Sequence, residues 1–149
     1  MAIARGAGTE IIRSIHADNI DSTVTNLIVG IQHHIYTVLS IVFHTKAWQA
    51  ADNYVECYIQ GYDSKIGDGD EKITIFQQDM SIQQTYVWND KFSFNGYEPA
   101  DFTGPLSTAA MQDAIADQGG SASQQLRIVT EHADDGGHVT VTYIDQNNA

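Results

Sequence analysis

The chain has 149 residues, 42% of them hydrophobic, with 7 Lys and Arg against 19 Asp and Glu and a formal net charge of −12. That length suits one domain able to bury a core without staples, and that apolar content excludes wholesale disorder. The acidity argues against a nucleic-acid footprint, which needs cations to displace phosphate counterions, and against docking on anionic membranes.

The charge is uneven along the chain. Only Glu10, Asp18 and Asp21 precede residue 50, so the N-terminal part, with Arg5 and Arg13, is near neutral and suited to lie against an acidic neighbour. Residues 1–8 lack the basic and apolar regions of a signal peptide. No apolar run approaches the ~20 residues that span a bilayer. The single cysteine, Cys57, has no partner within the chain for a disulfide and falls in a strand-like run, where a small buried hydrophobe is the expected role.

Residues 1–16 read as an N-terminal arm, Gly-containing at first and weakly alternating over 9–16 as an edge strand would be. Residues 17–146 read as a β-sandwich, and 147–149 as a polar tail. Within the sandwich, turn chemistry at 18–22 precedes a short strand over 23–29, closed by Gly30. The run 35–45 is the most apolar and β-branched in the chain and predicts the central strand. Its period-two pattern assigns Ile35, Thr37, Leu39, Ile41 and Phe43 to the core and leaves Tyr36, Val38, Ser40, Val42 and His44 on a second, partly covered face.

Further strands are predicted over 54–60, 72–76, 85–88 and 91–94. A helix is predicted over 107–118, with Ser107 or Thr108 as cap and Gly119-Gly120 as stop. Two last strands, 124–131 and 138–145, flank Asp135-Gly136, a hairpin turn signal. Eight or so short antiparallel strands make an all-β sandwich or jelly roll, with one inserted helix.

Catalytic chemistry finds little support. There is no Gly-x-Ser-x-Gly elbow and no Gly-rich phosphate loop between strand and helix, so the chain reads as a non-enzyme without cofactors. His132, Asp134 and His138 share one hairpin and are the weak metal candidates; their spacing matches no common zinc site, and a turn needs Asp and Gly for its own geometry. Asp63, Asp68, Asp70 and Glu71 depart from an EF-hand loop and read as a solvated acidic loop. Aromatic side chains are the better candidates for contacts. Trp48 lies in a polar loop, and Tyr54 and Tyr58 fall on the face of their strand turned to solvent or a partner. With Arg5 and Arg13 they form the expected assembly set.

Three stretches carry a resemblance: 35–42 (Ile-Tyr-Thr-Val-Leu-Ser-Ile-Val), 85–91 (Thr-Tyr-Val-Trp-Asn-Asp-Lys) and 139–146 (Val-Thr-Val-Thr-Tyr-Ile-Asp-Gln). In this order and spacing the chain resembles small β-sandwich virion proteins of tailed bacteriophages over most of residues 24–146. The resemblance implies a structural protein made in the host cytoplasm and carried on the particle. Its expected role is a capsid decoration (cement) protein, homo-oligomeric and trimeric by preference, with capsid or other virion proteins as partners. The alternatives are a tail, neck or fibre accessory protein that binds a glycan or receptor, and a non-viral carbohydrate-binding jelly roll.

Overall fold

A computed structural model describes residues 9–31, 33–62, 72–96 and 122–147. The stretch 1–8 of the expected arm, the acidic loop 63–71 and the expected helix over 107–118 lie outside them. Among the described residues nine strands follow in order: β1 (Thr9–Ile20), β2 (Thr25–Val29), β3 (His34–Ala47), β4 (Tyr54–Tyr62), β5 (Lys72–Asp79), β6 (Thr85–Trp88), β7 (Phe92–Asn95), β8 (Ala122–Thr130) and β9 (Gly136–Asn147).

Their pairing is that of one long hairpin folded back on itself. β1 pairs β9, β2 pairs β8, β3 pairs β6 and β7, and β4 pairs β5, all antiparallel. Contacts of β9 with β3 and of β8 with β4 complete two sheets, β1-β9-β3-β6/β7 and β2-β8-β4-β5. β6 and β7 occupy successive lengths of a single β3 edge, opposite 41–44 and 35–38. Counted as one interrupted strand, they make this the eight-stranded jelly roll, two antiparallel sheets face to face.

The core lies between the sheets. Tyr36, Val38, Ile41 and Phe43 of β3, with Val139, Val141 and Tyr143 of β9, meet Val55, Cys57 and Ile59 of β4 and Leu126 and Ile128 of β8. The central strand therefore does not keep the single face that strict alternation predicts. Its register shifts between Val38 and Ser40, a bulge that turns even-numbered residues inward before it and odd-numbered ones after it. Tyr36 and Val38 are core, whereas Ile35, Thr37 and Leu39 are only half-buried.

Residues 9–16, the weakly alternating part of the expected arm, are sheet, paired from Thr9↔Asn147 to His16↔Thr140. The hairpin before β9 turns over 132–135, closed by Asp135 N–H donating to the His132 carbonyl at 3.0 Å. Gly136 is thus already in the strand, opposite Ala47, rather than in the turn.

Candidate assembly surface

Alternation along paired strands gives each sheet an outer face, and the two differ in chemistry. On the β2-β8-β4-β5 sheet the outward side chains are largely charged and amide-bearing, with Val29, 51% exposed, and Val129 among them. Arg127 of β8 donates from Nη1 to Gln60 Oε1 at 2.6 Å and from Nε to Gln125 Oε1 at 2.8 Å. Lys72 of β5 pairs with the buried Glu56 of β4 and sets its ammonium 4.3 Å from the Tyr58 ring centroid. This face satisfies itself.

The outer face of the β1-β9-β3-β6/β7 sheet is built otherwise. Register sets Ile12, Ile144 and Thr37 in one row, Ser14, Thr142 and Ser40 in the next, and His16, Thr140, Val42 and Val87 in the one after. Its hydrogen bonds join hydroxyls to hydroxyls or imidazoles, as in Thr37 Oγ1–Ser93 Oγ at 2.9 Å and His44 Nδ1–Thr85 Oγ1 at 2.8 Å. Charge sits at the two ends, with Glu10 at one and Asp18 and Lys46 at the other, and in the Asp90-Lys91 break on the β6/β7 border; on the rows between, Ile12 is 71% exposed and Val87 53%. Charge-depleted centres of this kind distinguish the middle of protein interfaces from ordinary surface.

A cleft of about 170 Å³ opens beside this sheet, between β1 and β2, with Ile15, Leu27, Ile28 and Val29 on its apolar side. Its polar wall is a network around Asp145, whose side chain is buried: His34 Nδ1 lies 2.6 Å from Oδ1 and Arg13 Nε 3.3 Å from Oδ2. Tyr36 Oη accepts a hydrogen bond from Ile31 N–H at 2.9 Å. Burial pushes the Tyr36 and Tyr143 phenols above their ordinary range, with the Asp145 charge adding to it and Arg13 opposing, so both stay neutral. Pockets for whole small-molecule ligands run from roughly 300 Å³ upward. This one holds about one side chain.

No known protein family matches the sequence, and no curated protein does. Solved structures share parts of the strand arrangement. A protein of Bacillus endospore appendages, described as disulfide-linked pili, is 12% identical over 100% of this chain and 97% of its own, with a TM-score of 0.43. A protein of T=1 particles derived from infectious bursal virus is 9% identical over 99% of this chain and 38% of its own, at 0.42. That of the infectious bursal disease virus Gx strain is 10% identical over 93% and 29%, at 0.40. No role for this chain follows from likeness at that level.

The residues expected to make contacts fare differently. Arg13 is half exposed at the cleft mouth, tied to Asp145; Arg5 lies outside the described residues. Trp48 is not an exposed anchor: its loop folds inward, its indole is buried edge-on to Phe43 at 6.1 Å, and Nε1 donates to the Asn53 carbonyl at 3.3 Å. Tyr58 is likewise buried, lying under Lys72, while Tyr54 is half-buried and its backbone N–H donates to Glu131.

The weak metal set does not come together. His132 Nδ1 accepts from Asp134 N–H within the turn, while His138 faces His44 on the outer sheet face. Among the described residues no group of three or more His, Cys, Asp or Glu side chains is placed to hold a metal ion. Sequence reasoning missed Asp145, His34, His16 and His44. Asp145 and His34 lie 111 positions apart along the chain, and His16 and His44 flank His138 at the other end of the sheet; both groups meet only through β1-β9-β3 register.

Proposed function

We propose that this chain is a structural subunit of a large particle, and specifically a capsid decoration protein that bridges neighbouring capsid subunits, working as a homo-oligomer, a trimer by preference. The observation that carries the reading is the outer face of the β1-β9-β3-β6/β7 sheet. Four strand widths at ~4.8 Å and about 12 residues at ~3.3 Å make a face of roughly 750 Å². That is close to the ~800 Å² each partner gives to a standard interface. Burial at ~25 cal/mol per Å² makes such a contact strong when repeated over a shell. The near-neutral N-terminal part and the strand-pattern resemblance to phage virion sandwiches support the same reading.

Co-sedimentation with assembled capsids tests it. The wild-type protein is expected to pellet with capsids and to raise the temperature at which they open. Ile12→Asp combined with Val87→Asp, both on exposed positions, is expected to stay folded and to lose binding at least tenfold. A protein that ignores capsids, and is retained instead on a glycan array, is a tail, neck or fibre module or a carbohydrate-binding jelly roll, and the decoration reading falls.

A further inference from the structure

One row of the outer face is titratable. His16 of β1, His138 of β9 and His44 of β3 stand side by side across three strands, with ring centroids 5.5 Å and 5.2 Å apart. His44 and His138 are direct partners in the ladder, and His16 pairs with Thr140, the next outward residue of β9. The flanking rings have partners. His16 reaches Thr140 Oγ1 at 3.0 Å and Asp18 Oδ1 at 3.1 Å, and His44 Nδ1 reaches Thr85 Oγ1 at 2.8 Å.

The middle ring differs. Nδ1 of His138 is buried and has no hydrogen-bond partner. A neutral imidazole tolerates this by leaving that nitrogen as a bare acceptor, whereas an imidazolium must donate from both nitrogens. Charging His138 therefore buries an unsatisfied N–H close to the Lys46 ammonium. The groups that face it are His44 and Lys46 from β3 and His16 and Asp18 from β1. Asp18 is the one acid among them, and it is already shared between His16 at 3.1 Å and Lys46 at 4.0 Å. Burial first, then Lys46 and the two flanking imidazoles, holds His138 below its ordinary 6.5, with Asp18 opposing.

We propose that the His16–His138–His44 row is an acid-sensitive latch that fastens the edge strand β1 to its sheet at neutral pH and releases it when the buried middle ring, His138, gains a proton. Among the described residues β1 is the outer strand, paired with β9 alone, and its ladder is already irregular between Ala17 and Ile20, where Asn19 has a φ of 58°. The sign follows from linkage: His138 takes up a proton more readily once unpacked, so the latch is closed above the ordinary imidazole value and loses its grip as pH falls below about 6.5. Release bares the β9 edge, an unpaired row of backbone donors and acceptors open to strand addition. The latch does not depend on the decoration role.

Hydrogen exchange on the purified protein tests it, corrected for the intrinsic pH dependence of exchange, between pH 7.5 and 5.0. Amides of β1 between Ser14 and Asp18 are expected to lose at least tenfold more protection than those of β4 and β8 around Cys57 and Ile128. In His16→Thr/His44→Thr/His138→Thr that difference is expected to vanish. Should the triple variant not fold, His138→Thr alone is expected to shrink the difference at least threefold. Protection falling equally in both sheets, or a β1 difference that persists in whichever of these variants folds, overturns the latch.

Discussion

Asp135 is 1% exposed, and its two carboxylate oxygens accept from one neighbouring loop, from Gln49 N–H at 2.7 Å and Asn53 Nδ2 at 2.8 Å. What reads in sequence as the first half of an Asp-Gly turn is a clamp that holds the Trp48 loop against the last hairpin. Asp135→Ala strands two donors at once. It is expected to cost about 2–3 kcal/mol in urea unfolding, with Trp48 fluorescence shifted to the red as the indole wets. Cys57 tests the core in another way. It is fully buried, and desolvation, with Glu56 adding its charge, pushes the thiol far above its ordinary value. Only the thiolate reacts, so alkylation by iodoacetamide at pH 8 is expected to be at least a hundredfold slower in the native protein than in 6 M guanidinium. Comparable rates would mean that the two sheets part readily.

At the scale of elements, backbones cross most closely where β2 leaves, β7 ends and β8 begins. Gly30 N–H donates to the Gln124 carbonyl at 2.8 Å, Gly96 N–H to the His34 carbonyl at 2.7 Å, and Gln124 N–H to the Gly96 carbonyl at 2.9 Å. A Cβ on Gly96 would overlap the Ile31 carbonyl, and backbone offers no rotamer by which to yield. Gly96→Ala is expected to cost about 3 kcal/mol or more. Gly136→Ala is the contrast: its Cβ would lie 3.5 Å from the Ile20 carbonyl, an ordinary contact, and its φ is not positive. It is expected to be neutral, or stabilising by about 0.5 kcal/mol through the unfolded chain. Thermal melts of the pair check both. The strands themselves were largely legible. β6 falls on the residues expected for it, and β3 and β4 start within one residue of their predicted ends. Alternation of β-branched and aromatic residues marks a strand wherever its neighbours lie. Three things were not legible because they are properties of pairing. The bulge beyond Val38 inverts the faces of β3, the loop after it turns Trp48 inward, and Asp145 finds Arg13 and His34 only across two ladders.

The whole molecule sets a net charge of −12 against a face whose middle rows carry none. Copies of this chain therefore repel at range, and in the proposed homo-oligomer the uncharged rows would supply the attraction on contact. Salt shortens the range of the repulsion, from a Debye length of ~20 Å near 20 mM to ~8 Å at physiological strength, and leaves apolar burial in place. Self-association followed by sedimentation velocity is expected to tighten severalfold between 20 and 300 mM NaCl. Weakening over that range would show that ion pairs, not the uncharged rows, hold the copies together. The two borders of the β1-β9-β3-β6/β7 sheet are also unequal. One is β1, continuous over Thr9–Ile20; the other is split by Asn89-Asp90-Lys91 into two four-residue pieces. A charged break of that kind gives an incoming strand no run long enough to zip along. Any polymer that grew by adding strands to this sheet would extend from the β1 border alone, and the subunit would have a head and a tail.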